Sequence, residues 1–255
     1  VHMSARNRRK LNTMVNKILV NSYIVLTIFC LIIGLLLFFH KPIISHFIAP
    51  HKMEQTYKNL NNGGLKFKPN SYVDNIKYLD SDKSKLDSNI NYNFKSVKPI
   101  NLLDIKDAKL DKRYVRGQIV IPSINLDLPI LQGVSNNNLW FGASTMKPNQ
   151  KLGEGNYALA GHTTDNSSLL FTPLHHIKYG DSIYLTDSVN IYIYKTDSIK
   201  IVSPNRGEVI RDDDNNKLLT LVTCSDVKGT NRLIIQAKFI KKEKLSQGNI
   251  GIFKL

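Results

Sequence analysis

Apolar residues are distributed along this chain in two unlike ways. From Ile18 to Phe39 they form one run, ILVNSYIVLTIFCLIIGLLLFF, of 22 residues without a charge, with Asn21 and Ser22 near its start. A helix of about 20 such residues crosses the hydrocarbon core of a bilayer. From Arg116 onward the apolar residues come instead in short runs separated by Gly, Pro, Asn, Asp and Ser. That is the pattern of β-strands punctuated by turns. The runs predict strands over Gly117–Ile121, Leu126–Leu131, Asn156–Gly161, Ser182–Leu185, Leu218–Cys224 and Leu233–Ile240. Val189–Val202 alternates through Asn190-Ile191-Tyr192-Ile193-Tyr194, and a turn over Lys195–Ser198 would split it into two strands. Short helices are expected near Asn136–Gly142 and Ser168–His175. This density of strands predicts a mainly β domain, barrel or sandwich, with few and short helices.

Between the two regimes the chain is rich in Asn, Lys, Ser and Asp and keeps no sustained period. A segment of that composition buries too little apolar surface to order itself, and it reads as a stalk. Short stretches such as Val97–Leu103 are candidates to dock on the domain. The expected division is a basic tail over 1–17, a transmembrane signal-anchor over 18–39, a stalk over 40–112 and a catalytic domain over 113–255. An uncleaved anchor is favoured over a signal peptide, whose apolar region runs to roughly 7–15 residues before an A-x-A-like site. Arg6, Arg8, Arg9, Lys10 and Lys17 precede the span, and Lys41 is the one Lys or Arg in the ten residues after it. By the positive-inside rule the N-terminus is cytoplasmic and the rest of the chain extracellular, in a single-pass topology.

The formal charge of +15 raises the question of nucleic acid, and the distribution of charge answers it. Residues 1–115 hold 19 Lys or Arg against 8 Asp or Glu, and residues 116–255 hold 16 against 12. The excess belongs to the tail and stalk, where anionic lipid or wall polymer is a sufficient partner. No nucleic-acid partner is expected. The two cysteines do not read as a disulfide, because Cys30 lies within the apolar span and Cys224 far outside it. An unpaired thiol in an oxidising compartment is a liability unless it is buried or used, which draws attention to Cys224.

Cys224 closes the run Thr220-Leu221-Val222-Thr223-Cys224, just before Ser225–Gly229 turns away, and Arg232 follows eight positions later. A lone strand cysteine is ordinarily a core filler. A thiol at a strand end with a cation arriving from the next strand instead suits a nucleophile that must ionise and then manage an oxyanion. His162, at the end of Asn156-Tyr157-Ala158-Leu159-Ala160-Gly161-His162, is the candidate acid and base. Its rivals are His175 and His176, but a strand end holds an imidazole more firmly than a loop. Adjacent histidines without a Cys or carboxylate cluster make a poor metal site.

With Thr220 to Cys224, Arg232 and His162 in view, the chain resembles the sortases, membrane-bound cysteine transpeptidases of Gram-positive bacteria, over roughly Tyr114 to Ile240. Gly142-Ala143-Ser144-Thr145-Met146-Lys147-Pro148 and Leu152-Gly153-Glu154-Gly155-Asn156-Tyr157 are most similar to the class A members. The resemblance implies an eight-stranded β-barrel with Cys224, His162 and Arg232 catalytic. It also implies cleavage of an LPxTG-type sorting signal between Thr and Gly, and transfer of the surface protein to the amine of a lipid-linked peptidoglycan precursor. Pro204, Val209 and Ile210 match the loop that cradles the Leu-Pro end of the signal, and Thr223 and Ala160 are further substrate-binding candidates. No cofactor or metal is expected. Some class A enzymes bind calcium through acidic residues that Leu128–Gly153 lacks here, and Asp212-Asp213-Asp214 reads as a solvated turn. The Asp-Pro-aromatic lid of pilin-building sortases has no counterpart, since no Asp-Pro dipeptide occurs. The alternatives are a sortase of another class with a different signal, an L,D-transpeptidase, and a non-enzymatic wall-binding β-domain. An L,D-transpeptidase would need His and Gly close before its cysteine, where Leu, Thr and Val stand.

Overall fold

The structure is a computed structural model that describes residues 5–62, 90–93, 97, 108–212 and 216–253. The long apolar run lies in helix α1 (Ala5–Ile43), whose stretch Met14–His40 is long and apolar enough to cross a membrane. A π-helical turn (Ile44–Ile48) follows, and then helix α2 (Ala49–Asn62). Pro50 supplies the local reason for the wide turn: it has no N–H to give the carbonyl four residues back. The chain divides into two compact units, Val1–Ile44 and Ser45–Leu255.

In the second unit eight strands close a barrel. They are β1 (Val115–Ile121), β2 (Leu126–Leu131), β3 (Ala143–Thr145), β4 (Asn156–Ala160), β5 (Ser182–Thr186), β6 (Asn190–Val202), β7 (Leu218–Cys224) and β8 (Arg232–Lys244). Their order around the barrel is β1-β2-β3-β4-β7-β8-β6-β5. Two neighbours run parallel, β2 with β3 and β4 with β7, and the remaining pairs are antiparallel. The eight-stranded barrel implied by the resemblance is therefore present.

Tyr157, Leu159, Leu219, Leu221, Leu233 and Ile235 alternate inward along β4, β7 and β8 and meet Ile119, Ile130, Ile183 and Leu185 in one core. Each fully buried aliphatic side chain there contributes roughly 1.5–3 kcal/mol relative to exposure. Tyr194 is fully buried in the same core, edge-on to Phe239, and its hydroxyl accepts the Gly153 N–H at 2.9 Å. That bond holds the approach to β4 against the barrel.

Two readings of the sequence are corrected. Val189–Val202 is not split by a turn: β6 runs unbroken from Asn190 to Val202 and pairs with β8 along its whole length. The polar residues Lys195–Ser198 mark a bulge, where the register shifts between Thr196 and Ser198 and Asp197 meets Lys238 at 3.1 Å. A bulge kinks a strand without ending it. The three-residue β3 was not expected, because so short a run shows no alternation. The expected helices shrink to α3 (Asn136–Leu139) and a 3₁₀ turn (Thr172–His176).

From the segment read as a stalk, Ala49 and Met53 of α2 are buried with Val115, Leu131, Trp140, Phe141, Leu169 and Leu170. Val134 donates its N–H to the Asn91 carbonyl at 2.7 Å. Val97 packs with Met146 against Val134, Leu139 and Ala160. The rest of Val97–Leu103 lies outside the described residues.

Candidate active site

Strand register gathers the three predicted residues at one rim of the barrel. β4 and β7 are parallel with Ala160 opposite Val222, and His162 and Cys224 each stand two residues further on. β7 and β8 are antiparallel, and Cys224 faces Arg232 directly across the ladder. The next strand, β6, ends at the same rim, with Val202 opposite Arg232. Opposed residues share a face of the sheet, so Ala160, Val222, Cys224 and Arg232 line its outer side.

Small residues on β4 let this rim form. A side chain on Gly161 would place its Cβ 2.5 Å from the Phe171 ring, so only glycine admits the close approach that seats His162. The Gly161 N–H donates to the Val222 carbonyl at 3.1 Å, and the Phe171 N–H to the His162 carbonyl at 3.0 Å. Two buried hydroxyls complete the stitching. Thr223 Oγ1 donates to the Gly161 carbonyl and Thr163 Oγ1 to the Cys224 carbonyl, both at 2.8 Å, and the two oxygens lie 2.8 Å apart.

After Cys224 the chain turns through Ser225–Asn231, closed by Ser225 N–H to the Asn231 carbonyl at 3.0 Å. Arg232 Nη1 donates to the carbonyls of Gly229 at 2.9 Å and Asn231 at 3.1 Å, which orients the guanidinium over this turn. Gly229, at φ +72°, sits between the two functional groups: a Cβ there would lie 3.6 Å from Cys224 Sγ and 4.0 Å from Arg232 Nη1.

Burial pushes the half-buried Cys224 thiol above its ordinary pKa; the Arg232 guanidinium pulls it back and Asp226 adds to the rise. Burial also lowers the His162 pKa from 6.5 to about 4. Both shifts favour the neutral forms, so at neutral pH the resting pair is thiol and imidazole.

A sortase domain matches the chain over residues 119–240. Sortase A of Streptococcus agalactiae is 36% identical over 257 residues, covering 98% of this chain and 95% of that protein. The chain belongs to the sortase family. Sortase A of Listeria monocytogenes is 33% identical over 229 residues, 87% of this sortase and 93% of that one. A solved structure of Listeria monocytogenes sortase A aligns with TM-score 0.54 and 35% identity, over 55% of this chain and 97% of that chain.

The sequence-predicted substrate residues of this sortase fall into two groups. Val209 and Ile210 stand half-buried in a 3₁₀ turn (Gly207–Ile210) of the β6–β7 loop, and Pro204 is exposed earlier in that loop. Ala160 is fully buried on the outer face, under Val134 and Leu139. Thr223 is also buried, but its hydroxyl is turned to Gly161 and Thr163. Of the rival histidines, His175 Nε2 reaches Thr163 Oγ1 at 3.4 Å. Among the described residues no three of His, Cys, Asp and Glu group as metal ligands.

Residues that the sequence did not single out hold the β6–β7 loop. Asn156 Nδ2 donates to the Val209 and Arg211 carbonyls, both at 3.0 Å, and Asn156 Oδ1 accepts from Thr220 Oγ1 at 2.7 Å. Asp212 accepts from the Asn156 N–H at 2.8 Å and from Lys147 Nζ at 2.7 Å, contacts that hold its carboxyl below the usual range. Asn156 opening a strand was the available signal, since an amide there has both faces free to bond a crossing loop.

The neutral resting pair has a measurable consequence for this sortase. Alkylation of Cys224 in the free protein by iodoacetamide is expected to accelerate by about tenfold per pH unit from pH 6 to 8, because the thiolate fraction of a group titrating above that range grows at this rate. A plateau across this interval would instead reveal a thiolate stabilised by imidazolium.

Proposed function

We propose that the chain is a membrane-anchored cysteine transpeptidase of class A type, which cleaves LPxTG-type sorting signals between Thr and Gly. The observation that supports this most is the strand register, with Cys224 facing Arg232 on β8 and lying beside the extension of β4 that carries His162.

In this reading the Cys224 thiol passes its proton to neutral His162, and the resulting thiolate attacks the threonine carbonyl carbon. A C–S bond forms, the C–N bond to glycine breaks, and His162 as imidazolium gives its proton to the departing amine. Arg232 stabilises the oxyanion with a guanidinium that keeps its charge throughout. An incoming amine then attacks the thioester; its nitrogen bonds the carbonyl carbon, its proton passes to neutral His162, and the C–S bond breaks to return the thiolate. Pro204, Val209 and Ile210 are assigned to the signal, and Ala160, covered by Val134 and Leu139, supports the wall behind the site rather than touching the peptide. The acceptor is the amine of a lipid-linked peptidoglycan precursor. With α1 as a single span and its basic end cytoplasmic, the barrel is extracellular. No metal takes part in this scheme. Lys147 pairs with Asp212 at 2.7 Å, and the same carboxylate accepts the Asn156 N–H.

The test is the intact mass of the full chain in detergent, thiol reduced, after mixing with an LPxTG peptide. An adduct equal to the peptide through its threonine, released by an added amine, is the expected result. A folded, reduced protein that stays unmodified by this peptide would overturn the LPxTG assignment.

A further inference from the structure

Thr163 stands beside His162, yet the scheme above gives it no task. Its surroundings do. The Thr163 and Thr223 side chains are buried, 6% and 1% exposed, where the extension of β4 meets the end of β7. Around them lie two carbonyls that can only accept, Gly161 immediately before His162 and Cys224 itself.

Each hydroxyl carries one proton. Satisfying both carbonyls requires Thr223 to donate to Gly161 and Thr163 to donate to Cys224. The contact between the two oxygens, at 2.8 Å, then holds no proton of its own. In the alternative arrangement Thr163 donates to Thr223 and leaves the Cys224 carbonyl without it. In both, the pair of oxygens is one unit that links the peptide entering His162 to the cysteine's own backbone. Segments 61 residues apart in the chain are held together at this point. β4 ends at Ala160 and the β4–β7 pairing at Ala160–Val222, so the sheet ladder no longer fixes His162 against Cys224. Together with the Gly161 N–H, the threonine pair links the two strand ends.

We infer that Thr163, acting through Thr223 and the Cys224 carbonyl, is a positioning residue that sets the separation of the His162 imidazole from the Cys224 sulfur. The inference rests on the thioester reading for its catalytic consequence, and on geometry alone for its structural one. Displacing reacting groups by about 1 Å can cost on the order of 100-fold in rate. Both hydroxyls are engaged with backbone carbonyls, so binding is expected to be left alone.

The experiment compares Thr163→Val, which keeps the shape and removes the hydroxyl, with Thr163→Ser, which keeps the hydroxyl, in the full chain. Thr163→Val is expected to lower kcat for an LPxTG peptide by roughly 10- to 100-fold, with KM within about twofold of the parent. Thr163→Ser is expected to restore kcat. Adding Thr223→Val to Thr163→Val is expected to cost little more, as members of one network are not additive. Hydrogen exchange needs no substrate: the Gly161 and Phe171 amides are expected to exchange about tenfold faster in Thr163→Val, with the Leu221 and Ile235 amides unchanged. A kcat within twofold of the parent, a loss expressed in KM, or equal losses in the valine and serine variants would overturn the inference. Should the valine variant fail to fold, Thr163→Ala against Thr163→Ser carries the same comparison. If the parent itself turns over no peptide, the transpeptidase reading fails separately, and unchanged exchange at Gly161 and Phe171 would remove the tether as well.

Discussion

Replacing Cys224 by alanine is expected to abolish the thioester adduct entirely while leaving a folded domain that still binds the sorting peptide. In the proposed scheme the sulfur is the atom that forms and breaks the bond to the acyl group, and no neighbour replaces it: Thr223 and Thr163 are buried with their hydroxyls engaged, and Ser225 Oγ is directed to Asp226. Cys224 sits half-buried at a strand end, outside the core that Leu219 and Leu221 enter from the same strand. Deleting its sulfur is therefore expected to change stability by about 1 kcal/mol or less. Intact mass after incubation with an LPxTG peptide, with binding followed by calorimetry, checks both halves. An adduct that persists on the alanine protein would move the nucleophile elsewhere.

Arg232→Lys is expected to lower kcat by roughly 100- to 1,000-fold, the range seen when one oxyanion donor is removed, with a small change in KM. Charge is conserved in this substitution and geometry is not. The guanidinium spends Nη1 on the Gly229 and Asn231 carbonyls, which fixes its aim beside Gly229, on the same turn that borders the sulfur. A lysine ammonium is a flexible point charge and cannot keep both the turn and that aim. Because Arg232 also pulls the Cys224 pKa down, removing its charge altogether in Arg232→Ala is expected to move the alkylation profile to higher pH. Steady-state kinetics on both variants, with alkylation measured across pH, separates these roles. Full kcat in the lysine variant would show that charge alone suffices.

The candidate catalytic side chains were legible because their chemistry is local. A thiol closing an apolar run, an arginine in the following run and a histidine after Leu159-Ala160-Gly161 declare themselves by residue type and by the ends of hydrophobic segments. The barrel strands were legible for the same reason where alternation lasted, as in β4, β7 and β8, and failed where it did not. β3 has three residues, too few to show a period. The bulge in β6 imitates a turn, since both are marked by polar residues, and only the continuous partner β8 shows that the strand goes on.

The supports of the site were not legible. Asn156, Lys147 with Asp212, and Thr163 with Thr223 act on groups 53 to 65 residues away in sequence. Before folding, an asparagine opening a strand or a threonine after a histidine is an ordinary polar residue; it becomes specific when a carbonyl from a distant segment arrives at hydrogen-bonding distance.

By itself, then, the sequence determined the apolar helix, the β character of the second half and the candidates for the reactive groups, because each depends on side-chain chemistry and on periods of a few residues. The tertiary structure alone decided that β4 and β7 run parallel in the register that sets His162 beside Cys224, that Arg232 faces the cysteine, and that the threonine hydroxyls tie the two strand ends. The reason is that pairing partner and register are selected by how all eight strands bury one shared core as the barrel closes, and no local pattern contains that choice.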